Sequence, residues 1–147
     1  MADLIKEFLV KTVEDIKLLA PKPYWAVNEN SSSLKASDLL PEEGIFKIHL
    51  VRTEELVNNS YFREVDMTSL FLPENVNINN NHRIYRIIQH WINKEYLDPP
   101  KVHYNTFDKK IEFEDGRHRV KTSYLLGYEL IPVAIYFEDV DAVGNLI

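Results

Sequence analysis

The sequence predicts an α+β fold in which a small mixed sheet packs against flanking helices, with a helical extension at the N-terminus. Two observations carry this prediction. Residues 101–106 and 110–114 alternate apolar and polar side chains on either side of a tight turn at 107–109, which is typical of a β-hairpin. Residues 130–137 are almost all apolar, which is typical of a buried central strand, and helical patterns flank both features.

The composition is that of a folded protein with one ordinary domain. The chain has 147 residues, of which 45% are hydrophobic and 12% aromatic, enough to bury a core. It has no cysteine, which excludes disulfides, thiolate metal sites and thiol chemistry. No apolar run approaches the roughly 18 to 20 residues that span a bilayer, so no membrane partner is expected. The first residues lack the pattern of a secretory signal, and a cytoplasmic location is expected.

Charge is unevenly distributed along the chain, whose net charge is −6. Residues 81–127 contain nine Lys/Arg and six Asp/Glu, a balance of +3, and the remainder contains eight and seventeen, a balance of −9. A protein that coats nucleic acid without sequence preference normally has a basic footprint, so that function is disfavoured. The basic part can still attract a small anion.

The first predicted element is an amphipathic helix over residues 3–19, ended by Pro21 and Pro23. Its apolar stripe repeats at i, i+4 spacing and consists of Leu4, Phe8, Thr12 and Ile16. Residues 45–52 are rich in strand-forming side chains, and Thr53 is expected to begin a short helix. Residues 75–81 are rich in asparagine and are expected to form a loop.

A second amphipathic helix is predicted over residues 82–96. Its apolar face consists of Ile84, Ile87, Ile88, Trp91 and Ile92. A separate polar face consists of Arg83, Arg86, His90 and Lys94, and most faces of this kind are simply solvated. After the hairpin, residues 117–126 predict a third helix, which ends at Gly127.

The segment most informative about function is Asp115-Gly116-Arg117-His118-Arg119, which lies between the second hairpin strand and the third helix. The first turn of a helix has unpaired N–H groups and a partial positive charge, and glycine lets an anion approach the backbone. Arginine can hold a phosphate with two parallel hydrogen bonds, and histidine can donate a hydrogen bond or carry a proton. The alternative is that Arg117 and Arg119 pair with Glu112, Glu114 or Asp115 and merely tie the loop together.

The order of several short segments resembles the ParB/sulfiredoxin superfamily. These segments are Pro-Pro-Lys-Val at 99–102, the hairpin, the box at 115–119, Leu-Leu-Gly-Tyr at 125–128 and Ile-Pro-Val at 131–133. Arg83 matches an arginine that precedes the equivalent helix in ParB-type domains. The resemblance extends over roughly residues 65–138, which divides the chain into an N-terminal extension at 1–60, packed on the core, and a ParB/sulfiredoxin-like domain at 61–147.

The resemblance implies a phosphate or nucleotide site. Different members of the superfamily use CTP or ATP, and the glycine-arginine box holds the phosphate. The residues carried over as phosphate-binding are Gly116, Arg117, His118 and Arg119, with Arg83. The implied cofactor is a nucleoside triphosphate with Mg²⁺, and no His/Cys spacing indicates a metal site in the protein itself.

Two departures from the superfamily limit what the resemblance implies. Arg117 stands where sulfiredoxins have their cysteine, so sulfiredoxin chemistry is excluded. The helix-turn-helix and dimerisation regions of partition proteins have no counterpart in these residues, so a conventional partition clamp is not expected. A kinase-like member would need a carboxylate base, for which Asp115, Glu114 and Glu74 are the candidates.

Two functions from different classes therefore remain open. One is a nucleotide-binding enzyme that transfers or hydrolyses a phosphate at the box. The other is a non-catalytic interaction protein of a plasmid or phage, which uses the ParB-like fold to bind a protein or nucleic-acid partner. Nucleotide specificity is expected from residues 72–81 and from the N-terminal segment.

Overall fold

The computed structural model describes residues 2–27, 45–73 and 78–147. The helices are α1 (Ala2–Leu9), α2 (Val13–Leu19), α3 (Thr53–Asn58), α4 (Ile78–Ile92), α5 (Arg117–Leu125) and α6 (Val140–Gly144). The strands are β1 (Phe46–Arg52), β2 (Lys101–Asn105), β3 (Lys110–Asp115) and β4 (Leu130–Tyr136), and a short 3₁₀ turn at Phe137–Asp139 precedes α6. None of the described helices is long and apolar enough to cross a membrane.

The strands form one mixed sheet in the order β1-β4-β2-β3. β1 pairs antiparallel with β4, β4 pairs parallel with β2, and β2 pairs antiparallel with β3. Residues 131–135 of β4 are all buried between two neighbours, as expected for the predicted central strand. The prediction of an α+β fold is thus confirmed, and the predicted ends of the four strands and of α5 agree with the structure to within one residue.

Two apolar clusters hold the helices in place. The first lies on one side of the sheet and consists of Val51, Leu56, Val102, Ile111, Val120, Ile131, Val133, Ile135 and Val143. The second joins α1 and α2 to α4 and includes Ile5, Phe8, Ile16, Ile84, Ile88 and Trp91. Trp25 packs against both clusters, so the segment after α2 links the N-terminal helices to the sheet.

The predicted single helix over residues 3–19 is wrong, because the structure has two helices separated at residues 10–12. Thr12 is exposed and caps α2 instead of joining an apolar stripe. Its side chain accepts a hydrogen bond from the Asp15 backbone N–H, and the Asp15 carboxylate accepts one from the Thr12 N–H, each at 3.2 Å. This capping box satisfies two N–H groups that a continuous helix would pair internally.

The predicted helix over residues 82–96 is wrong at both ends. α4 begins at Ile78, inside the segment predicted as an asparagine loop, and ends at Ile92. At its end, Lys94 has a φ of 59°, its N–H donates to the Trp91 carbonyl at 3.1 Å, and the Glu95 N–H donates to the His90 carbonyl at 2.8 Å. This pair of bonds is a Schellman motif, which terminates the helix and redirects the chain.

Candidate functional site

The loop between β3 and α5 adopts a conformation that favours glycine. Gly116 has a φ of 99°, and a β-carbon at this position would lie 2.7 Å from the Pro100 α-carbon and 2.9 Å from its β-carbon. α5 begins at Arg117, and no side chain caps its N-terminus. The first N–H groups of the helix have no acceptor within it, so this end of α5 retains donors for an anion.

A cleft of about 530 Å³ opens at this end of α5. It brings together every predicted site residue that the structure describes: Arg83, Glu114, Asp115, Gly116, Arg117, His118 and Arg119. Glu74, the third candidate base, lies outside the described residues. Six further residues line the cleft that the sequence did not assign to it: Arg86, Ile87, His90, Tyr96, Leu97 and Asp98.

Arg119 is held by groups of the protein itself. Its side chain is 14% exposed, one guanidinium nitrogen lies 2.9 Å from the Asp115 carboxylate, and another donates to the Asp98 carbonyl oxygen. The alternative interpretation of the box, in which an arginine pairs with an acidic neighbour and ties the loop together, therefore holds for Arg119. Its partner is Asp115, whereas Glu112 pairs with Arg63 at 2.9 Å.

Arg117 points from the first turn of α5 toward the segment after α3. Its guanidinium donates to the Arg63 carbonyl oxygen and lies at the border of the cleft. Breaking this hydrogen bond would cost little, because the Arg63 carbonyl can accept from water instead. Arg117 can therefore turn toward an anion in the cleft at a small cost.

Two exposed arginines on α4, Arg83 and Arg86, line the cleft. Within the described parts of the chain, the guanidinium groups of Arg83 and Arg86 make no hydrogen bond and no ion pair. The two residues lie three positions apart, which places them side by side on one face of the helix. They are the cations of the cleft most readily available to an anionic ligand.

His118 lies close to several positive charges. Burial is the main cause that lowers its pKa to about 4, and the charges of Arg83, Lys121 and Arg117 lower it further. The imidazole is therefore neutral at pH 7 and can donate one hydrogen bond. A bound anion would offset the surrounding positive charge and favour protonation of the imidazole.

Lys121 belongs to the same helix but does not line the cleft. Its side chain is fully buried and donates to the Asn80 amide oxygen at 2.8 Å. Burial lowers its pKa, and the Asp66 carboxylate partly opposes that effect. The positive charge of Lys121 thus lowers the pKa of His118, although Lys121 does not line the cleft and cannot contact a ligand there.

The carboxylates of the cleft have different surroundings. Glu114 accepts a hydrogen bond from the Tyr136 hydroxyl at 2.5 Å, which together with burial and nearby acids raises the pKa of Tyr136 to about 12. Asp115 pairs with Arg119 but its side chain is 64% exposed. Within the described residues, no three His, Asp or Glu side chains form a metal-binding group. A Mg²⁺ ion that arrives with a triphosphate needs only one or two carboxylates, and Glu114 and Asp115 fit that requirement.

For two of the six cleft residues that were not assigned from the sequence, the sequence did contain a usable pattern. Arg86 and His90 share a helical face with Arg83, and that shared face was assigned to solvent although Arg83 was a candidate site residue. Tyr96, Leu97 and Asp98 had no such signal. They reach the cleft because the chain turns at Lys94, a residue whose type does not predict a left-handed conformation.

A scan against protein-family models, a search of curated proteins and a search of solved structures each returned no match to this chain.

Proposed function

We propose that this protein is a ParB/sulfiredoxin-like domain that binds a nucleotide, or another small phosphorylated ligand, through its phosphate groups. The observation that carries the proposal is the convergence of Arg83, Arg86 and the neutral His118 on the uncapped N-terminus of α5. Those residues line a cleft large enough for a small molecule, at about 530 Å³.

An anion is the ligand class that this electrostatic environment favours. Arg83, Arg86 and Arg117 bring three positive charges to one cleft, and of these three Arg117 alone has a hydrogen-bond partner among the described residues. Cations held close together repel each other, and a multiply charged phosphate relieves that repulsion while accepting hydrogen bonds from each guanidinium. The backbone N–H groups at the start of α5 add uncharged donors.

Phosphate transfer or nucleotide hydrolysis is the reaction class to assay in this cleft. Both require a carboxylate that accepts the proton of the attacking hydroxyl or water, and Glu114 and Asp115 are the predicted candidates. Asp115 also anchors Arg119, so Asp115→Asn is expected to weaken binding as well as turnover. Glu114→Gln leaves that ion pair intact and separates the two effects.

The experiment is a thermal-shift and calorimetric titration with inorganic phosphate, tripolyphosphate, ATP, CTP and GTP, with and without Mg²⁺. A ligand that binds only the folded state stabilises it, by about 2.7 kcal/mol at a concentration one hundred times its Kd. We expect stabilisation by at least one phosphate ligand, reduced at least tenfold in affinity by Arg83→Ala and by Arg86→Ala. Arg52→Ala, an exposed arginine outside the cleft, is the matched control. Unchanged melting with all five ligands contradicts the proposal.

The second candidate is a non-catalytic interaction protein that binds a protein or nucleic-acid partner. It is favoured by the internal contacts of Arg119 with Asp115 and of Arg117 with Arg63, because these contacts hold the loop without any ligand. Under this function the double variant Arg117→Ala/Arg119→Ala keeps its partner. Under the first function the same variant loses phosphate binding.

A further inference from the structure

The strand β1 lies at one edge of the sheet. β4 pairs with one side of it, and among the described residues no strand pairs with its other side. The Phe137 N–H donates to the Ile45 carbonyl, and the Thr53 N–H donates to the Glu129 carbonyl. Because the hydrogen bonds of an antiparallel pair alternate along the strand, the odd-numbered residues between these two points also bond to β4. The residues whose backbone groups point to the free side are Phe46, Ile48, Leu50 and Arg52.

The side chains along this free edge leave it open to another strand. Edges that stay unpaired commonly carry lysine or proline in the middle of the strand, or are covered. In β1 the cations Lys47 and Arg52 lie near the two ends, whereas the middle consists of Ile48, His49 and Leu50. Leu50 is 67% exposed, so a large apolar side chain lies beside backbone groups that have no partner strand. This combination favours pairing with a further strand.

We infer that the free edge of β1 binds the same edge of a second copy of this chain, antiparallel, with the two-fold axis at His49. This register pairs all seven residues of the strand. Ile48 of each copy faces Leu50 of the other. Phe46 likewise faces Arg52, and the outward-pointing backbone groups of these residues bond to each other. An interface of this symmetry uses one patch twice, so the patch must complement itself.

The charges of β1 satisfy that condition. Lys47 lies opposite Val51 of the other copy, and Arg52 lies opposite Phe46, so no permanent cation faces another. Like charges directly opposite each other would destabilise the strand pair. His49 lies opposite its own counterpart. Burial and the charge of Lys47 lower the pKa of His49 from 6.5, so the two imidazoles are uncharged at pH 7 and do not repel each other.

A groove beside β1 adds an opposite charge to the interface. It has a volume of about 350 Å³ and is lined by His49 and Val51 of the strand and by Glu55 of α3. The proposed register places Lys47 of the other copy across from Val51, at this groove. Within the described residues, neither Lys47 nor Glu55 forms an ion pair in the single chain. The dimer thus brings together two opposite charges that the single chain leaves apart.

The interface is separate from the proposed phosphate site. β1 and β3 are at opposite ends of the strand order, and the cleft lies at the end of β3. Pairing through β1 therefore joins the four strands of each copy into one continuous sheet and leaves both clefts open. The inference does not depend on what binds in the cleft.

Sedimentation equilibrium of the full chain over a concentration series tests the dimer. We expect the mass to rise from 17.3 kDa towards twice that value. Leu50→Pro should give a folded monomer, because the N–H that it removes points away from β4 and proline is tolerated on an edge strand. Leu50→Lys places one cation from each copy in the interface and should weaken the dimer by roughly a hundredfold or more. Leu18→Lys, at an 82% exposed leucine of α2, is the matched control and should leave association unchanged.

Hydrogen exchange measured by NMR identifies the strand edge without a substitution. At low concentration the amides of Ile48 and Leu50 should exchange quickly, whereas those of His49 and Val51, which bond to β4, should exchange slowly. At high concentration the amides of Ile48 and Leu50 should become protected as well. This readout keeps the test decisive if Leu50→Pro fails to fold.

A charge exchange tests the register. Lys47→Glu alone and Glu55→Lys alone place like charges together, and each should weaken the dimer roughly three- to tenfold. The double variant Lys47→Glu/Glu55→Lys restores the opposite pair and should recover the wild-type association. Losses that add up in the double variant overturn the register with its axis at His49.

A chain that sediments at 17.3 kDa up to roughly 1 mM overturns the inference and leaves the edge to a strand of another protein. A dimer that Leu50→Lys does not weaken also overturns it, because association then occurs elsewhere on the chain. The same conclusion follows if the Ile48 and Leu50 amides stay unprotected in the dimer.

Discussion

Gly116 lines the cleft at a position where a side chain would not fit. Its φ of 99° is strained for any residue with a side chain, and the nearby Pro100 leaves no room for a β-carbon. The close approach of Gly116 to Pro100 keeps the start of α5 against the start of β2. The same contact sets the position from which Arg117, His118 and Arg119 project.

Three glycine substitutions separate strain from steric conflict. Gly116→Ala introduces both, and we expect the free energy of unfolding to fall by about 2–4 kcal/mol. Gly127 has a φ of 79° but meets only the flexible end of Lys17, at 3.4 Å, so Gly127→Ala should cost about 1 kcal/mol. Gly144→Ala, with nothing within 4 Å, should change stability by less than about 0.5 kcal/mol. Urea unfolding at pH 7 measures all three, and equal losses at Gly116 and Gly144 would refute the argument.

His118 makes the stability of the protein depend on pH in a defined window. Its pKa is about 4 in the folded chain, because of burial and the charges of Arg83, Lys121 and Arg117, and 6.5 is the ordinary value that the unfolded chain would show. Between these values the unfolded state binds a proton that the folded state does not bind. The contribution of His118 to the free energy of unfolding therefore decreases as the pH falls from about 6.5 to about 4.

Urea unfolding of the wild-type protein and His118→Asn at several pH values between 7.5 and 4 tests this effect. The variant should lose less stability than the wild type over that interval, since carboxylates elsewhere act equally on both proteins. Saturating sulfate, which stays a dianion throughout, should raise the pKa of His118 and reduce the difference. Parallel pH profiles for the two proteins without sulfate would show that His118 is not desolvated in the folded state.

At the scale of elements, α4 places two of the proposed binding residues, and its start is fixed by side chains rather than by backbone pairing alone. The Asn81 amide oxygen accepts from the Leu72 N–H at 2.8 Å, and the Asn81 amide nitrogen donates to the Leu72 carbonyl at 2.7 Å. Asn80 donates to the Leu70 carbonyl at 3.2 Å. These bonds attach Leu70 and Leu72 to the first turn of α4, which leads directly to Arg83.

Asn81→Ala removes both bonds to Leu72 and leaves two backbone groups without their partner. We expect a loss of about 2–3 kcal/mol in the free energy of unfolding, because Asn81 is buried and its two hydrogen bonds to Leu72 are partly shielded from water. Asn79→Ala is the control, since Asn79 is exposed in the same helix and its loss should be within about 0.5 kcal/mol. Equal stability of the two variants, measured by denaturant unfolding, would mean that the Leu72 bonds are replaced by water at no cost.

The elements that the sequence predicted well are those whose signal is local. β2, β3 and β4 have alternating or continuous apolar patterns that few other structures can satisfy, and α5 is bounded by two glycines with positive φ. The start of α4 was missed because asparagine ordinarily indicates a loop. Here the amides bind a backbone nine or ten residues away, which no local pattern contains. Thr12 was placed in an apolar helical stripe because of its i, i+4 spacing. The local sequence Thr12 to Asp15 is instead a capping box.

At the scale of the whole molecule, one part of the candidate site is a contiguous stretch of sequence. The other part is brought together only by folding. Residues 114–119 are contiguous, so their chemistry could be predicted. The wall at Tyr96 and Leu97 depends on backbone bonds to Tyr24 and Ala26, more than seventy positions earlier in the chain, and no motif records that pairing. Tyr24 and Ala26, in the segment after α2, therefore support the wall of the cleft.

The junction that supports this wall also contains both tryptophans of the chain. The rings of Trp25 and Trp91 meet edge-on with centroids 5.3 Å apart, and the Trp91 indole donates to the Tyr24 carbonyl at 3.1 Å. Intrinsic fluorescence and near-ultraviolet circular dichroism of the unlabelled protein therefore originate mainly from one place. An optical change that precedes the loss of helical signal on heating would mark release of the N-terminal segment, and with it the support of Tyr96, while the sheet is still folded.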